Sequence, residues 1–498
     1  MKRFRLMNNI FGWVAFVLAA VTYLSTMEPT ASFWDCPEFI TSAFKLDVGH
    51  PPGAPLSMLF GHFFSLFAKD TAHVAIMVNS LTALCSAFTI LFLFWTITHL
   101  ARKVVIKSEN DYSTGNIIGI LGAGMVGALA YTFSDTFWFS AVEAEVYGFS
   151  ALFTALVFWL ILKWETVADE PGSDRWLILI AYMMGLSIGV HLLNLLTIPV
   201  LALVYYFKRN NPSLKGIVVT LVAGVILLAA VLYGLIPGFL EVSAWFELFF
   251  VNTLGFGFNT GLFVYIILTI GLLTWGIYES YTNKSYLRMA ISFVLALTME
   301  GLPFFSGNIL LGILIIAGIS AFFYFKKTKI SVRWVNTFLI MIAMILIGFS
   351  SYAVIVIRSG ANPTMDQNNP DNLFSLKYYL NREQYGEKPL LFGSTYNAPY
   401  KLKVEGNMCT PVMKEKGHPL YNEGVKTSPN EKDHYVVIGH KGDNEVVMDE
   451  RFDMFFPRMF SPDPRHIEAY KAWGKITGET VNYEFCGEQK SEIKPTFI

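Results

Sequence analysis

The chain has 498 residues, 54% of them hydrophobic and only 15% charged, where a soluble domain carries about 25% charged residues. That balance excludes an ordinary soluble globule and points to lipid as the solvent. A net charge of −1 argues against nucleic acid as a partner, since phosphate binding needs a basic face. The four cysteines, Cys36, Cys85, Cys409 and Cys486, lack the CxxC or Cys/His spacing of a structural zinc site.

In chain order, apolar runs fit for spans of roughly 20 residues fall near 10–26, 74–100, 116–134, 145–164, 176–190, 192–207, 216–236, 261–279, 286–300, 307–324 and 334–357. The stretch from 176 to 207 is one continuous run, split at Gly189-Val190-His191. These runs predict a polytopic α-helical membrane domain over residues 1–357, with about eleven transmembrane helices. From Arg358 the chain turns polar, so 358–498 is expected to be a soluble domain of mixed α/β type. Within it KPLLFGS and DHYVVIGH read as strands and PDPRHIEAYKAWGK as a helix.

Lys and Arg gather in alternate breaks between the runs: Lys2, Arg3 and Arg5, then Arg102, Lys103 and Lys107, then Lys163 and Arg175. They recur at Lys208, Arg209 and Lys215, at Lys284 and Arg288, and at Lys326, Lys327, Lys329 and Arg333, while the intervening short breaks hold only Lys45 and Lys69. The positive-inside rule then places the N-terminus in the cytoplasm and, for an odd number of spans, residues 358–498 outside. A signal peptide cleaved after Ala31 is the competing reading of the first run, and it leaves the rest of the first loop outside as well. Cys409 and Cys486 then lie where disulfides persist, either bridged or as two thiols.

The long first outer loop, 27–73, holds Asp35, Glu38, Asp47 and His50 beside Trp34 and three prolines. Asp35, with Pro37 in the first turn and Glu38 three residues on, is a helix-start signature. The same spacing puts both acids on one helix face. PLSMLFGHFFSLFA, residues 55–68, is too short and interrupted to span and suits a helix lying in the interface. The second outer loop brings Glu143, Glu145 and Tyr147 to the start of the fourth span, where Glu143 also suits helix capping. His191 and Asn194 in GVHLLNLLTIP and Glu300 in TMEGLPFFSGN map to the same rim. A rim of carboxylates suits taking a proton from a hydroxyl or holding a divalent metal. Arg358 is the cation placed to receive an anionic group. Asp366 and Asn368, in NPTMDQNNPDN, read as a connecting loop, with closure over the site as the alternative.

EPTASFWDCPEF followed by VGHPPGAPL, together with EAEVYGFSALFTAL, GVHLLNLLTIP and NPTMDQNNPDNLFSLKYYLNREQYGEKPL, resembles the bacterial protein O-mannosyltransferase-like family of the GT-C superfamily of integral membrane glycosyltransferases. The resemblance implies transfer of a mannose-like sugar from a polyprenyl-phosphate donor to a hydroxyl of an exported protein or glycan, at the outer face of the cell inner membrane. In such enzymes an acid of the first outer loop is the base or metal-binding group. Asp35 stands at the matching position, Glu38 is second, and His50, Glu143, Glu145, Tyr147, His191, Asn194 and Arg358 are expected to contact substrate. Pro37 stands where the family commonly has glycine. No cofactor is implied beyond a possible divalent metal. Compared members run on through a longer outer region, so the end at KPTFI reads as an interruption, with acceptor recognition incomplete or supplied by another polypeptide. A transporter or flippase, with groups at mid-membrane in an inverted repeat, and a non-catalytic envelope-assembly scaffold are the alternatives.

Overall fold

The computed structural model describes the whole chain apart from residues 305–306, 327–329, 387–388, 390, 406–407, 416, 444, 458 and 497–498. It divides into two compact units, Met1–Asn381 and Arg382–Ile498.

The first unit is helical: α1 (Lys2–Thr26), α2 (Cys36–Lys45), α3 (Pro55–Ser65), α4 (Val74–Val105), α5 (Thr114–Thr132), α6 (Asp135–Ala141), α7 (Val146–Val167), α8 (Asp174–Ile188) and α9 (Ile198–Arg209). It continues with α10 (Leu214–Ala229), α11 (Ile236–Leu248), α12 (Thr260–Thr282), α13 (Tyr286–Met299), α14 (Ile309–Phe325), α15 (Val332–Phe349), α16 (Ala353–Ser359) and α17 (Leu373–Leu380). All the apolar runs of the sequence are helical. Among the described residues eight stretches are long and apolar enough to cross a membrane. Helices α8, α13 and α14 are shorter, at 15, 14 and 17 residues. The chain is a polytopic helical membrane protein with a small sheet region after it.

The longest stretch, Leu214–Thr253, contains π-helical turns at Ala230–Leu235 and Phe249–Thr253. Pro237 accounts for the first: it has no N–H to give, and its ring crowds the carbonyl four residues back. Helix α4 packs among α1, α5 and α7 through Ala15, Ala19, Ala83, Ala87, Ile90, Phe94 and Ala128. Small side chains suit this, because lipid tails offer no hydrophobic drive and helices gain only by close approach. Helices α8 and α15 cross at Gly185 and Gly348, where a Cβ on either would run into the other's backbone.

Helices α2 and α3 are not spans. Helix α3 buries Leu56, Met58, Gly61 and Ser65 and exposes Phe60 and Phe63, with exposed Leu66 and Phe67 following, the two-faced pattern of an interfacial helix.

The composition changes at residue 358, yet the helical unit continues through Asn381. The reason is local pairing with the first loop. Val48 forms a parallel bridge with Asp366, and buried Tyr379 donates its hydroxyl to the Gly49 carbonyl at 2.6 Å.

Among its described residues the second unit has eight strands, β1 (Phe392–Ser394), β2 (Leu402–Glu405), β3 (Met408–Pro411), β4 (Pro419–Glu423), β5 (Tyr435–His440), β6 (Asp453–Phe455), β7 (Gly478–Phe485) and β8 (Glu488–Pro495), with helix α18 (Pro464–Trp473). They pair antiparallel as β1 with β6, β2 with β3, β4 with β5 and β7 with β8. Both strands and the helix expected from sequence are present, although residues 388 and 390 of KPLLFGS lie outside the described residues. A disulfide joins Cys409 to Cys486, 77 residues apart. It ties the β2–β3 hairpin to the turn between β7 and β8.

Candidate functional site: an acid and imidazole cluster at one end of the bundle

Asp35 sits at the start of α2, but its side chain accepts no hydrogen bond from the helix amides and is 58% exposed. Capping therefore does not account for the carboxylate in this structure. Glu38, one turn on, is engaged from three directions. It accepts the His50 backbone N–H at 2.6 Å, the His50 ring Nδ1–H at 2.9 Å and the Gln367 side-chain amide at 3.4 Å. Burial works against ionisation of Glu38, but the bonds and charge of His50 outweigh it and hold its pKa below the ordinary value. The Nδ1 contact leaves His50 Nε2 directed to the other acid, 3.9 Å from Asp35 Oδ2. The imidazole thus stands between Asp35 and Glu38. Gly49 lies against this pair: a Cβ there would stand 2.6 Å from Glu38 Oε1, so the carboxylate would have to shift from its bonds to His50.

The second loop closes on the same place. Buried Cys36 and Ile40 of α2 pack with Ala144 and with Val74 and Val78 of α4, which seats α2 on the loop before α7. Glu145 is the residue at which α7 begins. Its pKa is raised to about 7, by burial first and then by the charges of Asp35 and Glu143, against the pull of the Val146 N–H and His50. Glu143 is buried, and burial together with the Glu28 charge raises its pKa, opposed by the Ser32 hydroxyl.

The other expected site residues are placed as follows, not all of them at this cluster. Tyr147, two residues past Glu145, packs on the His191 ring with centroids 5.6 Å apart. His191 Nδ1 also accepts the Leu193 N–H at 3.2 Å and so starts the short 3₁₀ turn Leu192–Thr197. Asn194 is fully buried and donates to Ser187 Oγ at 3.0 Å, a packing role. Arg358 donates to the carbonyls of Leu46 at 2.7 Å and Lys45 at 3.4 Å. It thereby caps the far end of α2, roughly 15 Å from Asp35 at 1.5 Å per residue. Glu300 is fully buried, and neither carboxylate oxygen has a hydrogen-bond partner among the described residues. Gln367 was not expected at the site. Its only sequence signal was the turn-rich stretch NPTMDQNNPDN, which places it in a connecting loop rather than against an acid.

Among the described residues no three His, Cys, Asp or Glu side chains stand in metal-ligand geometry. As arranged, the carboxylates do not fit a divalent cation, because Glu38 is committed to His50.

Residues 35–214 match the family model described as the protein O-mannosyl-transferase TMEM260 N-terminal domain. Residues 386–498 match a family described only as of unknown function. The chain is 24% identical over 199 residues to the protein O-mannosyl-transferase tmem260 of Dictyostelium discoideum, covering 39% of this chain and 22% of that protein. It is 29% identical over 174 residues to the protein O-mannosyl-transferase TMEM260 of Mus musculus, covering 35% and 22%. The chain thus matches about a fifth of the length of each of these relatives. No solved structure matches it. Asp35, Glu38, His50, Glu143 and Glu145 all fall within the segment 35–214, which is the part of the chain that carries the protein O-mannosyltransferase family resemblance.

Proposed function

We propose that the chain is a protein O-mannosyltransferase-like membrane glycosyltransferase. It transfers a mannose-like sugar from a polyprenyl-phosphate donor to a Ser or Thr hydroxyl of an exported acceptor. The observation that carries this reading is the meeting of Asp35, His50 and Glu145, from two loops about a hundred residues apart, at one end of the bundle. In this reading that end faces outward across the inner membrane, with the N-terminus cytoplasmic, about eleven spans and the sheet region periplasmic.

The acceptor oxygen attacks the anomeric carbon as its proton passes to the Asp35 and Glu145 pair, and the carbon–oxygen bond to the lipid phosphate breaks. Attack from the face opposite the leaving group inverts the anomeric centre. A positioned base contributes roughly 10²–10⁴-fold, and a carboxyl with a pKa of about 7 is matched to neutral pH. Polyprenyl phosphate leaves without needing a proton. His50, held by Glu38, is the group in the cluster able to face its charge, since Arg358 is occupied at the other end of α2. A cavity of about 1070 Å³ among α4, α5, α6 and α7 reaches Tyr147 and Leu193 and offers the polyprenyl chain an apolar path that ends two residues from Glu145. The test is sugar transfer from a polyprenyl-phosphate donor in membranes holding equal folded protein. Activity in wild type and its loss in Asp35→Asn sustain the reading, whereas wild-type inactivity with every lipid-linked sugar donor sinks it.

The transport alternative draws on Glu300, a buried carboxylate without a hydrogen-bond partner among the described residues, because ionisable groups at membrane depth often mark a pathway. Glu300→Gln separates the two readings: transfer persists if the chain is a transferase.

A further inference from the structure

The ends of α1, α4 and α7 farthest from the acid cluster enclose a second hollow, of about 740 Å³. On α4, Val78 packs against the helix bearing the acids and Arg102 lines the hollow, so the two sites are roughly 36 Å apart along it at 1.5 Å per residue. Five cations line this hollow: Arg5, Arg102, Lys103, Lys163 and Lys208. Two of them are matched by acids. Lys103 is paired with Glu165, which also takes His99 at 3.4 Å, and Lys208 is paired with Asp169 at 2.6 Å.

Arg5, Arg102 and Lys163 have no carboxylate within ion-pair distance among the described residues. Lys163 lies over the ring of Trp159 at 4.9 Å, and Trp159 stacks on Trp95 with centroids 5.6 Å apart. The positive-inside rule explains why basic residues occupy this end of a bundle. It does not explain why three unmatched cations on three different helices converge on one hollow with an aromatic wall. Like charges so gathered repel until an anion joins them.

We propose that this hollow holds the phosphate headgroup of an anionic membrane lipid. Phosphate matches the Arg donors, which bind its oxygens in pairs. Two features favour a lipid over free phosphate as its source. The hollow lies at the ends of spanning helices, and those ends carry exposed apolar side chains, Leu6 and Ile10 on α1 and Leu100 and Val104 on α4, that suit acyl chains. Basic pockets between membrane helices are sites of this kind. The assignment stands independently of sugar transfer.

The test is native mass spectrometry of the purified full chain offered phosphatidylglycerol or phosphatidylcholine. Wild type is expected to retain phosphatidylglycerol at concentrations about 10-fold lower than phosphatidylcholine, a preference that falls with salt. The variant Arg5→Gln/Arg102→Gln/Lys163→Gln is expected to lose that preference. The variant Arg3→Gln/Lys107→Gln/Lys215→Gln removes as many charges from the same end but none from the hollow, and is expected to keep it. An equal loss in both variants, or no preference in wild type, overturns the proposal. If inorganic phosphate stabilises wild type against heat and not the first variant, while phosphatidylglycerol is not retained, the lipid source is overturned in favour of free phosphate.

Discussion

One oxygen of Glu38, Oε1, holds His50 twice, accepting its backbone N–H at 2.6 Å and its ring Nδ1–H at 2.9 Å. The double attachment fixes both the position of the ring and its tautomer, so that Nε2 is the nitrogen offered to Asp35 and, in the proposed mechanism, to substrate. Glu38→Gln keeps the shape but loses the charge that orients the ring. Transfer is expected to fall about 10–100-fold in kcat, on the scale of losing an orienting partner, with a smaller change in donor KM. Kinetics that match wild type would make Glu38 a packing residue.

Asp35 is 58% exposed and caps nothing, so its removal should cost little stability. Asp35→Asn is expected to lower transfer by about 10²-fold or more while leaving the melting temperature within error of wild type. A variant that melts early, or one that transfers normally, contradicts its assignment as part of the base.

Glu145 sets the pH dependence. Its folded pKa of about 7 lies above the ordinary 4.5, so the folded protein binds a proton that the unfolded chain releases. Its contribution to stability is complete below pH 4.5 and is lost as pH rises through about 7. In the proposed mechanism activity runs the other way, because there the ionised carboxylate takes the proton: transfer should climb through pH 7 and then level. Glu145→Gln should lower the plateau and remove that limb. A profile whose limb survives in Glu145→Gln assigns the titration elsewhere.

A side chain at Gly49 would press on Glu38 Oε1. Gly49→Ala is expected to cost about 1–3 kcal/mol through overpacking and to reduce transfer by displacing Glu38. Calorimetry and the transfer assay together check this; wild-type stability would mean that Glu38 moves aside freely.

Arg358 supplies donors to the last carbonyls of α2. Arg358→Ala should destabilise the protein by about 1.5–3 kcal/mol, the usual worth of a hydrogen bond to a charged group. Transfer per folded molecule should be retained. A rise in donor KM without loss of stability would instead return Arg358 to phosphate binding.

Much of this was legible because it is local. Apolar runs marked the helices, the interrupted run at 55–68 marked α3, and two acidic loops at alternate breaks pointed to one end of the bundle. The partners of the cluster were not legible. Gln367 reaches Glu38 across 329 residues and Tyr379 reaches Gly49 across 330, and no periodicity encodes a contact at that separation. Arg358 was read from its charge alone. Its position beside the frayed end of α2, where Leu46 turns left-handed at φ 54, gives the guanidinium carbonyls to satisfy before any ligand arrives.

The bridge from Val48 to Asp366 and the bond from Tyr379 to Gly49 have a practical bearing on dissecting the protein. A fragment truncated where the last long span stops, at Ser359, would keep every membrane helix yet leave the His50 turn without its outer support. A fragment ending at Asn381 would carry its own brace. Comparing lipid-linked sugar binding by these two fragments separates the assembly of the bundle from the assembly of the site.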